Sequence, residues 1–69
     1  MGRLITTIVW HEDGERAVLC YDTGDPDYVL ARRELVDTLA REEGLKLAGA
    51  SPGLTCWTRD VVPATSAPG

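Results

Sequence analysis

The dipeptide Asp13-Gly14 lies between two runs of strand-forming, mostly apolar residues, Leu4 to Trp10 and Ala17 to Tyr21. Asp-Gly in that setting is a hairpin signal, because both central residues of a type I′ turn need φ > 0. A two-residue loop also fixes the register. It pairs Glu12 with Glu15, Trp10 with Ala17, Ile8 with Leu19 and Thr6 with Tyr21. Side chains alternate along a strand. One face of the ribbon is therefore expected to carry Leu4, Thr6, Ile8, Trp10, Ala17, Leu19 and Tyr21. The other carries Ile5, Thr7, Val9, Val18 and Cys20. The first face holds the aromatics and is the expected core. The second is smaller and β-branched, yet still mostly apolar, so neither face is clearly polar.

Downstream, Asp22 to Asp27 is a turn segment rich in Asp, Gly and Pro. Two readings compete for the residues after it. Pro26 could open a helix that runs to Gly44, or Tyr28-Val29-Leu30 could form a third strand with the helix starting near Ala31. The strand is preferred, because a helix over 28–43 puts Leu30 among Glu34, Asp37 and Arg41 on the polar side. Leu35, Val36, Leu39 and Ala40 form the apolar stripe of the helix, and Gly44 is its expected left-handed C′ residue. Leu45 to Ala48 alternates like a strand, 49–53 reads as a loop, and Leu54 to Arg59 has strand composition. The order β-β-(β)-α-β-β describes an α+β domain of two layers, an antiparallel sheet with one amphipathic helix on one face. It spans 1–62, and the Ala/Ser/Pro-rich stretch 63–69 is expected to be a disordered tail.

With 69 residues, a single core contributes only about 3–5 kcal/mol, and such chains often need a disulfide, a metal or a partner. Cys20 and Cys56 could form one disulfide, but they offer no CxxC pair for zinc. There is no signal-peptide pattern and no apolar run of membrane-spanning length. The expected location is the cytoplasm, with both thiols reduced. The net charge of −4 argues against a general nucleic-acid binder.

Candidate chemistry is sparse. His11-Glu12-Asp13 is the one histidine–carboxylate cluster, but neighbours along a strand point to opposite faces. Asp22, Asp25 and Asp27 crowd one turn without the 12-residue ligand spacing of an EF-hand loop, and turn formation and capping account for them. Cys20 and Cys56 lack a basic cluster that would activate a thiolate. Ser51 has no nucleophile-elbow context, and Gly49 to Gly53 lacks the ending of a phosphate loop. Arg32-Arg33 opposes the helix dipole. The pair could contact an anionic partner, or Arg33 could pair with Asp37 and Arg32 with Asp25 or Asp27.

These readings lead to a non-catalytic interaction or regulatory protein, with no cofactor, no metal and no small-molecule substrate. It associates through the face of Ile5, Thr7, Val9, Val18 and Cys20, as a homodimer, because one helix can cover only one side of the sheet. An acidic surface from Asp22, Asp25, Asp27, Glu34, Asp37, Glu42 and Glu43 could engage a basic protein partner. A nucleic-acid factor would instead have to gather Arg3, Arg16, Arg32, Arg33 and Arg59 into one patch. An enzyme subunit with a site completed across a dimer would rest on His11.

Overall fold

The computed structural model of the chain describes residues 3–59. It contains β1 (Ile5–His11), β2 (Arg16–Tyr21), β3 (Pro26–Leu30), α1 (Arg33–Glu42), β4 (Lys46–Ser51) and β5 (Leu54–Thr58). The strands form one five-stranded sheet in the order β3-β2-β1-β5-β4, and every pairing is antiparallel. This is the expected α+β architecture, with 28–30 in a strand that starts at Pro26. The expected tail at 63–69 lies outside the described residues.

The core lies between the helix and one face of the sheet. Ile5, Ile8, Trp10, Ala17, Leu19, Leu45 and Trp57 are buried with Val36 and Ala40 of α1, while Tyr21, Ala31 and Leu39 pack at the margin. Trp10 is 1 % exposed and Ile8 0 %. The Trp10 indole Nε1 has no hydrogen-bond partner among the described residues, a cost of about 1–3 kcal/mol for a buried donor. One expected stripe residue is misplaced. Leu35 is 62 % exposed, because Val36 and Ala40 point straight at the sheet and Leu35 lies about 100° away around the helix.

The first hairpin keeps the expected register but not the expected turn. Trp10 pairs with Ala17 and Ile8 with Leu19, yet positive φ falls on Gly14 (81°) and Glu15 (49°) rather than on Asp13. The loop therefore takes in Glu12 to Glu15, closed by the Glu15 amide donating to the Glu12 carbonyl at 3.2 Å. The register then shifts between Ile5 and Thr7, so that Ile5, not Thr6, faces Tyr21. That β-bulge turns Ile5 into the core, at 9 % exposure. Leu4, expected in the core, is left 44 % exposed. A one-residue slip flips a side chain to the other face.

The second hairpin is tighter than expected. Gly49, Ala50 and Ser51 belong to β4, and Ser51 pairs with Leu54 across Pro52-Gly53. Gly53 has φ 83°, which fits the third position of a type II turn with Pro before it. The helix ends as expected. Gly44 has φ 76°, its amide donates to the Arg41 carbonyl, and the Leu45 amide donates to the Ala40 carbonyl at 2.8 Å. These are the two bonds of a Schellman cap.

Candidate functional site

Residues paired across antiparallel strands share a face, so the register places every side chain of the sheet. The face turned away from α1 has a middle row Tyr28–Val18–Val9–Cys56–Gly49. A second row, toward one end of the strands, is Pro26–Cys20–Thr7–Thr58–Lys46. The third, toward the other end, is Leu30–Arg16–His11–Leu54–Ser51. Val9, Val18, Thr7, Cys20, Cys56 and Thr58 are half-buried by their neighbours alone, because no described element lies over them. Tyr28 is 68 % exposed and Leu30 80 %.

Four of the five expected interface residues, Thr7, Val9, Val18 and Cys20, therefore share one open face. The fifth, Ile5, is corrected: the bulge places it in the core. Tyr28, Leu54 and Cys56 complete the surface. Sequence reasoning missed them because strand order, not local pattern, brings β3 and β5 alongside the first hairpin.

Charge divides the molecule unevenly. Arg16, Lys46 and His11 stand on the open face, and no Asp or Glu of the described strands does. The carboxylates of Glu34, Asp37, Glu42 and Glu43 are carried by α1 and its C-cap. Those of Asp22, Asp25 and Asp27 serve local structure: Asp22 accepts from the Leu4 amide at 3.4 Å, Asp25 from Thr23 at 3.5 Å and Asp27 from the Tyr21 hydroxyl at 3.5 Å.

The arginines are not gathered. Arg33 binds Asp37 at 3.2 Å and Thr55 at 3.4 Å, and stacks over Trp57 at 5.3 Å. Arg59 donates twice to the Ile5 carbonyl, at 3.0 and 2.8 Å, and once to Glu43 at 3.2 Å. Arg3 lies over the Tyr21 ring at 4.2 Å. All three engage the helix side of the sheet, whereas Arg16 stands on the open face. Arg32 is the exposed N-cap residue of α1, and among the described residues it makes neither of the ion pairs expected with Asp25 or Asp27.

Both cysteines are free. They share the open face, but β1 runs between their strands. Two strand spacings and a two-residue offset along the strands put their backbones about 11–12 Å apart, beyond the reach of a disulfide. Burial pushes the Cys56 thiol up, and the neighbouring Cys20 thiol pushes it further the same way. That is the opposite of nucleophile activation. Among the described residues no group of His, Cys, Asp and Glu could hold a metal ion, and no helix is long and apolar enough to cross a membrane.

The fold and this surface define a small α+β domain that offers one face of its sheet. Compared with protein-family models, curated proteins and solved structures, the chain matches none.

Proposed function

We propose that the protein is a non-catalytic interaction module that acts in the cytoplasm and associates, with a second copy of itself, through the open face of its sheet. One observation carries the reading. The row Tyr28–Val18–Val9–Cys56 crosses four strands with no described residue over it, and α1 is committed to the other side. Contiguous apolar surface of several hundred Å² on a small protein marks a place of association. That no Asp or Glu of the described strands stands there favours the same use, since burying these strands desolvates no acid. The acidic helix side stays free for a basic partner, which gives the module a regulatory role.

Sedimentation velocity from about 5 to 500 μM tests this at the concentrations where weak interfaces assemble. The expected result is a reversible shift from monomer to dimer. A single monomeric species across that range overturns it.

A further inference from the structure

The middle row of the open face decreases in size across the sheet, from Tyr28 through Val18, Val9 and Cys56 to Gly49. The face is therefore a wedge, thick over β3 and thin over β4. Gly49 is the unusual residue in this series. It has no positive φ, and a Cβ built on it meets nothing within 4 Å. The register shift in β4 lies between Leu47 and Gly49, but a bulge demands glycine only where the backbone is left-handed. Among the described residues nothing requires glycine there, and it weakens a strand by about 0.5–1 kcal/mol relative to alanine. Glycine in a strand also marks close approach of another chain.

Resting on the self-association proposed above, we infer that two copies pack open face to open face about a two-fold axis running along β1. Each Tyr28 then seats over the partner's Gly49. The sheet has an odd number of strands with β1 at its centre, so this axis lays β3 over the partner's β4 and β2 over the partner's β5. Thick meets thin on both sides, and the layers stay parallel at the roughly 10 Å spacing of packed sheets. Val9 meets the partner's Val9, and Val18 meets the partner's Cys56. Arg16 falls over the partner's Leu54 and Lys46 over the partner's Pro26, while His11, on the axis, faces the partner's His11.

The other in-plane two-fold axis, across the strands, stacks Tyr28 on the partner's Tyr28. It would prop the sheets apart at β3 and leave a gap at β4. Aligned sheets also rotate by about 30° relative to one another. At two strands from the axis that is a shift of about 5 Å, within the reach of a tyrosine side chain. The footprint is about 24 Å by 15 Å, or about 700 Å² in projection for the pair. This falls below the roughly 1,200 Å² of standard specific interfaces and fits only a weak, reversible dimer.

Crosslinking the full chain with a bismaleimide of about 10 Å reach, matched to sheets packed about 10 Å apart, distinguishes the two axes. In a Cys20→Ala/Cys56→Ala background, Thr7→Cys places one thiol beside its own copy only when the axis runs along β1. Tyr28→Cys does so only when the axis runs across the strands. The expected result with this crosslinker is a covalent dimer for Thr7→Cys and monomer for Tyr28→Cys. The reverse pattern overturns the axis and leaves the proposed self-association standing. Neither variant trapping, in a background that still dimerises by sedimentation, overturns both the axis and the face. A background that is monomeric while the wild type dimerises sends the test to Gly49→Tyr in the wild-type chain. That substitution enters open space in the monomer and fills the seat of Tyr28. Its association should weaken by about tenfold or more with an unchanged circular dichroism spectrum, and undiminished dimerisation overturns the inference.

Discussion

Ile8 and Val9 are neighbours on the central strand β1 and point to opposite sides, and that contrast can be measured. Ile8 is completely buried beneath α1, so Ile8→Ala removes buried methyl and methylene groups and leaves a cavity, at about 3–4 kcal/mol. That equals most of the stability a core of this size supplies, so the variant should be largely unfolded at 25 °C. Val9 is half-buried with no described residue above it. Val9→Ala removes two methyl-sized groups worth about 0.8 kcal/mol each when fully buried. Only about half of that burial exists in the monomer and no cavity forms, so the loss should stay under 1 kcal/mol. Urea unfolding followed by circular dichroism at about 5 μM protein, where the monomer dominates, reads both. At about 500 μM a further loss should appear for Val9→Ala alone, as dimer contacts go. Equal damage from the two substitutions at low concentration would refute the reasoning, because it would mean that Val9 is covered within the monomer.

Other substitutions test the remaining contacts. Leu35→Lys should change stability by no more than about 0.5 kcal/mol, since Leu35 is exposed; a loss of 2 kcal/mol in urea unfolding would return it to the core. Arg59→Ala strips two charged donors from the Ile5 carbonyl and a partner from Glu43 at the end of α1. It should cost about 1–2 kcal/mol once partial exposure is allowed for, with Arg59→Lys recovering part of it, and an unchanged urea midpoint would contradict this. Cys56 should react with iodoacetamide more slowly in the folded protein than in urea at pH 8, because its folded-state pKa is raised by burial. The stability contributed by its neutral thiol is fully present below the ordinary thiol value of about 8.5 and is lost as pH rises through the higher folded value. Mass spectrometry of the alkylated peptide from pH 7 to 10 measures the rate, and equal folded and unfolded rates would contradict the shift.

Sequence legibility followed the range of the forces involved. The pairing of Trp10 with Ala17 and Ile8 with Leu19, the third strand at 28–30, the helix and its Gly44 cap are set by residues close in the chain, and each stands where local chemistry puts it. The bulge that turns Ile5 inward has no local signal. It joins β1 to Tyr21 at one end, while hydrogen bonds from Arg59, just past the end of β5 and far along the chain, hold the Ile5 carbonyl. Strand order is a long-range property too. Inserting β5 between β1 and β4 brought Cys56 and Leu54 onto the open face, and no pattern within 54–59 reveals which strand they will adjoin. The outward turn of Leu35 was hidden for a related reason, since a wheel gives the stripe but not its exact bearing on the sheet.

Under the proposed function, the face of Thr7, Val9, Val18, Tyr28 and Cys56 is the surface that binds. Nitrogen-15 correlation spectra recorded over a concentration series test this residue by residue. The expected result is that amide shifts move with concentration in the central stretches of β1, β2, β3 and β5, while those of 33–42 in α1 stay fixed. Shifts that move first in α1, or that do not move at all up to millimolar protein, would contradict it.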